Sequence, residues 1–143
     1  METEIKMLND IHKNADMGQD TLRHVLEASC DGKFSDVIRR QMEEYEEAFR
    51  ESGKMLQARH ADQKKEAPAI SKMMAHMNIS MKSMQDMPTS RLAEMVIQGG
   101  TMGVTELSRQ IHDYAGDDRE VLDFARKQLK REEKNIEELK KFL

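Results

Sequence analysis

A chain of 143 residues is the size of one domain and buries a core without disulfide or metal staples, and its mix of 35% charged and 4% aromatic residues, with no Trp and two Pro, matches long solvent-exposed helices and argues against a β-sandwich or an α/β enzyme. The net charge of −4 comes from 23 basic and 27 acidic residues interleaved along the chain, which argues against a polyphosphate-binding face and against nucleic acid as a partner. Cys30 is the single cysteine, which rules out an intrachain disulfide and fits a reducing compartment; METEIKMLND lacks an apolar leader core and no stretch reaches bilayer-spanning length, so the expected setting is cytoplasmic, away from the membrane.

Ile5, Leu8, Ile11, Ala15, Leu22, Val25 and Leu26 recur at helical spacing and stop at CDGK, which predicts a first helix over 3–30 closed by Gly32 in the left-handed conformation. Ser35 is the expected N-cap of a second helix over 35–61, with Val37, Ile38, Met42, Tyr45, Phe49, Met55 and Leu56 inward. Pro68 suits a first helical position, and Ile70, Met74, Met77, Met81 and Met84 then alternate spacings of four and three until Pro88 interrupts. A further helix over 89–114 turns Leu92, Met95, Val96, Met102, Leu107 and Ile111 inward, and Gly116 ends it. The last helix opens with a capping box, Asp117 to Glu120, and carries Val121, Leu122, Ala125, Leu129, Ile136, Leu139 and Phe142. No strand signal or repeat interrupts this pattern. Four helices of about 25 residues, each roughly 37 Å long, predict a single all-α bundle domain over 1–143. The shorter Met-rich helix over 68–87 is the length needed to bring the chain back along the bundle, so the helices before and after it should run parallel.

The order of helices, the helical crossover and the C-terminal run LKREEKNIEELKKFL resemble the ferritin-like superfamily, most nearly small bacterial ferritin-like domains of unknown function. The resemblance implies a ferritin-like four-helix bundle with the Met-rich segment as its crossover. In metal-binding members the four helices supply inward carboxylates, two of them as Glu-x-x-His, because paired hard cations need bridging carboxylates and a nitrogen ligand one turn on. This chain departs from that pattern. Glu132 is followed three residues later by Asn135; EEYEE offers Glu44 and Glu47 around an inward Tyr45; Glu106 lies between Gly103 and Gln110. Asp16, Gln19 and Asp20 stand at middle height of the first helix without matching a ligand, and none of His12, His24, His60, His76 or His112 falls where the motif wants it. What survives by resemblance is a residual metal site on Glu106 and Glu132, for iron or manganese, and no di-iron catalysis.

The methionines carry two readings: a soft copper(I) site of stacked thioethers, or adaptable packing of a helix lying in a groove, which the absence of histidine on the stripe favours. Gly99, Gly100 and Gly103 inside a helical pattern cost about 1 kcal/mol each against Ala. Either a close helix neighbour or a ligand against bare backbone offsets that cost. No P-loop, nucleophile elbow, zinc-finger spacing or dinucleotide turn is present, and no catalytic residue is assigned. The expected function is therefore non-enzymatic and cofactor-free, through protein association, including a homodimer, or small-ligand binding, with Met77, Met81, Met84, Tyr45, Gly99 and Gly103 as packing or ligand contacts. The alternative is a metal-binding protein using the residual carboxylates or methionine-bound copper(I).

Overall fold

The computed structural model describes residues 2–61 and 83–143, which form four long α-helices and, among the described residues, no strand. They are α1 (Glu2–Ala28), α2 (Gly32–Ala58), α3 (Thr89–Asp113) and α4 (Arg119–Leu139), with single 3₁₀ turns at Ser83–Asp86 and Lys140–Phe142. No described helix is long and apolar enough to cross a membrane.

The helix bodies follow the apolar periodicity except at Met102, expected inward on α3 but 39% exposed, and the caps differ from expectation. Asp31, not Ser35, caps α2: its Oδ1 accepts from the Phe34 N–H at 3.0 Å. The helix starts early because Phe34, fully buried, must already be on its inner face. Asp118, rather than Asp117, caps α4, with Oδ1 accepting from the Val121 N–H at 3.3 Å. Gly32 begins α2 and does not take the left-handed conformation; that geometry belongs to His60, φ 55°, after α2. There the His60 N–H reaches Gln57 O at 3.0 Å and the Ala61 N–H reaches Leu56 O at 2.9 Å, a Schellman closure with histidine in the place glycine usually takes. α3 ends at Asp113, before Gly116. Gly116 is fixed instead by close approach, since a Cβ there would lie 2.5 Å from Tyr114 Oη and 2.7 Å from Glu4 Oε1.

Apolar side chains gather in two clusters. One joins Leu22, Val25 and Ala28 of α1, Phe34 and Ile38 of α2, Met84 of the first 3₁₀ turn, Leu92, Ala93 and Met95 of α3, and Leu139 of α4. The other joins Met7, Leu8 and Ile11, Leu56, Leu107, and Val121, Phe124 and Ala125. Each cluster thus takes opposite ends of α1 and α2 and opposite ends of α3 and α4, so each pair is an antiparallel hairpin. The first cluster holds the N-terminal halves of both α2 and α3, and the second their C-terminal parts. Those two helices therefore run parallel.

Of the Met-rich helix expected over 68–87, residues 68–82, with Met77 and Met81, lie outside the described residues, and its end is a 3₁₀ turn at Ser83–Asp86 in place of α-helix. Met84 is described: it is fully buried in the first cluster, with Met87 packed against it. Its surroundings are apolar carbon, the packing role of an unbranched thioether.

Candidate functional site

Between the two clusters lies a polar layer, and in it a pocket of about 40 Å³ lined from all four helices. That is room for about two or three waters, or a small ion or molecule reaching in from the mouth. Six residues singled out from the sequence meet here: Tyr45, Gly99, Gly100, Gly103, Glu106 and Glu132. Asp10, Asn14, Gln110 and Gln128 join them. Of the three methionines, Met84 is in the apolar cluster, and Met77 and Met81 lie outside the described residues.

Helical spacing assembles the inner wall. Gln128 and Glu132 are one turn apart on α4, and Tyr45 projects from α2 to donate its hydroxyl hydrogen to Glu132 Oε2 at 2.9 Å. Gly18 of α1 makes space for that ring; a Cβ there would meet the Tyr45 ring at 2.9 Å. Glu132 is half-buried, lining the pocket with protein on its other sides. Burial pushes its carboxyl up to about 7, Glu44 nearby adds to the rise, and the Tyr45 hydrogen bond opposes it. The Tyr45 hydroxyl is held well above its ordinary range, by burial first and then by the charge of Glu132.

Gln128 is 5% exposed, and its Nε2 is buried without a hydrogen-bond partner. A buried amide donor left unmade costs about 1–3 kcal/mol unless something in the pocket accepts from it. Glu106 sits at the mouth, half exposed and paired with Arg109 at 2.9 Å. Asp10 pairs with Lys6 at 2.9 Å and accepts from Gln110 Nε2 at 2.5 Å. The Asp10 hydrogen bond raises Lys6 above the usual lysine range, with desolvation opposing it.

The three glycines do not share one cause. A Cβ at Gly100 would stand 3.1 Å from Ile136 Cγ1, so that residue lets α3 approach α4. At Gly103 a Cβ would meet nothing within 4 Å, and the residue borders the pocket. Next to the pocket, Asn135 Nδ2 donates to Glu44 Oε2 at 2.8 Å and Arg131 pairs with Glu47 at 3.0 Å, so α2 and α4 are joined directly at those heights. Among the described residues, no group of three or more His, Cys, Asp or Glu is placed to hold a metal ion.

Sequence reasoning missed Gly18, Gln128 and Asp10. Gly18 carried a signal, being a glycine inside a helical pattern like the three in α3. Gln128 had only its position, one turn before Glu132 on the inward stripe.

Comparison with protein-family models, with curated proteins and with solved structures found no match to this chain.

Proposed function

We propose that this chain is a ferritin-like four-helix bundle that binds a small polar molecule at mid-height and carries no redox centre. The ferritin-like reading is supported by the parallel run of α2 and α3 across a long connection, the arrangement that a single crossover produces. The ligand reading rests above all on the buried, unpartnered Gln128 Nε2 at the wall of a pocket that all four helices line. Glu44, Glu47 and Asn135 are spent on contacts between α2 and α4, which removes them as ligands for a paired metal centre.

A two-dimensional NMR screen of small polar compounds tests this reading, watching the Gln128 side-chain amide and the Gly103 backbone amide. Compounds that occupy the pocket move both signals in the wild type, and Gly103→Leu, which grows a side chain into the open space, abolishes the response. A screen in which no compound moves those signals refutes the reading.

The second reading, a residual metal site, has one observation in its favour: Glu106 and Glu132 line the same pocket. A metal bound only by the folded state would stabilise it by about 2.7 kcal/mol at a hundred times its dissociation constant. Iron(II), manganese(II), zinc(II) and copper(I) are expected to leave thermal unfolding unmoved. A metal-dependent rise in melting temperature that Glu132→Gln removes would put this reading first.

A further inference from the structure

The pocket's charge is one-sided. Among the described residues that line it, three are carboxyls, Asp10, Glu106 and Glu132, and none is Lys, Arg or His. Two already have cations, Lys6 for Asp10 and Arg109 for Glu106, both at 2.9 Å. Glu132, the innermost, has no ion pair among the described residues; what it has is the hydrogen bond from Tyr45. One turn away, Gln128 Nε2 is a buried donor without an acceptor. Side chains four apart on a helix have their Cβ atoms about 5–6 Å from each other. The two groups therefore ask for opposite things a short distance apart: a cationic donor at Glu132 and an acceptor at Gln128.

Resting on the pocket reading above, we propose that the occupant is a small organic cation, an ammonium carrying a hydroxyl or ether oxygen about two carbons away. The ammonium lies against Glu132 and the oxygen accepts from Gln128 Nε2. Burial disfavours the ionised form of the Glu132 carboxyl, and an ammonium beside it supplies the countercharge that form lacks, in the shorter, stronger charge-assisted bond that water cannot make. Among the described lining residues an anion would meet three carboxyls and no cation. A bare divalent ion would find too few ligands, since no group of three is assembled among the described residues. The uncovered backbone at Gly103 leaves space beside the ligand's carbons.

Three two-carbon probes of matched size separate the possibilities: ethanolamine, ethylene glycol and glycolate, which are cationic, neutral and anionic at neutral pH. Titrated at equal concentration into the unmodified chain, ethanolamine is expected to move the Gln128 side-chain amide signals saturably, with binding at least tenfold tighter than either of the others. Glu132→Gln is expected to remove that preference, and Gln128→Leu to weaken ethanolamine binding. Equal or tighter binding of ethylene glycol overturns the cation assignment while leaving the pocket reading standing. So does ethanolamine binding that persists unchanged in Glu132→Gln. If none of the three probes moves the signals while other compounds of the screen do, the aminoalcohol class is wrong; if no compound does, the pocket itself is. The charge series is measured on the wild type, so its outcome decides the matter whether or not either variant folds.

Discussion

Replacing Gly103 by alanine tests whether the pocket is real empty space bordered by a helix. Glycine in a helix interior costs about 1 kcal/mol relative to alanine through backbone entropy. At Gly103 a Cβ would meet nothing within 4 Å, so no steric term offsets that gain. Gly103→Ala should therefore stabilise by about 1 kcal/mol, which for a chain of this length raises the melting temperature by roughly 3 °C. Gly18→Ala is the control with the opposite sign. Its Cβ would stand 2.9 Å from the Tyr45 ring, which the hydrogen bond to Glu132 holds in place, so the same propensity gain is outweighed by overpacking of about 1–3 kcal/mol. Thermal unfolding followed by circular dichroism separates the two variants by sign. A Gly103→Ala protein that melts lower than wild type, or a Gly18→Ala protein that melts higher, refutes the geometry.

Three further outcomes are expected. The Glu132 carboxyl, near 7 when folded against an ordinary 4.5, binds its proton more tightly in the folded state, so its contribution to stability is full below 4.5 and falls as pH rises to 7. Glu132→Gln should remove at most about 3 kcal/mol of that decline, read as the difference between urea-unfolding curves of variant and wild type from pH 4 to pH 8; superimposable pH dependences would contradict it. Met84, fully buried, should tolerate leucine at a cost below about 1.5 kcal/mol but lose about 2–5 kcal/mol as alanine, and equal costs for the two would remove it from the core. Arg59 makes a bidentate contact with Asp118 at 3.0–3.2 Å and also reaches Glu120 and Met55 O, so Arg59→Ala should cost on the order of 2 kcal/mol in urea unfolding, and a neutral result would show that the clasp is solvated away.

The helices were legible because their signal is redundant. Each carries many apolar residues at a period near 3.6, so Leu22, Ile38, Leu92 and Leu139 could be placed inside without knowing any neighbour. The direction of α3 relative to α2 was legible for a different reason, since a connection of that length makes a return possible. The caps were less so. CDGKFSD offers two oxygens able to cap a helix, Asp31 and Ser35, and the choice between them is made by where Phe34 must sit in the tertiary core. In GDDRE either aspartate can cap, and Asp118 is chosen while also held by Arg59 at the C-cap of α2 and by the Tyr114 hydroxyl, partners far away in sequence or out of period. For the pocket, Glu132, Tyr45 and Glu106 stood out as polar residues on or near apolar stripes. Gln128 did not, because an uncharged amide on an inward stripe carries no mark of being unpartnered until all four walls are in place.

The polar layer between the two apolar clusters also acts as an alignment key. Two helical hairpins with purely apolar faces could slide past each other by a turn, about 5.4 Å, and still bury hydrocarbon. Here such a slip would carry Glu132 and Asn135 away from Tyr45 and Glu44 and press a carboxyl against leucine and phenylalanine. The chain gives up apolar burial at mid-height and gains a single vertical setting of one hairpin on the other. Filling that layer with leucine would raise the melting temperature and at the same time admit neighbouring settings, much as removing a lone buried asparagine stabilises a coiled coil and loosens its choice of partner and register.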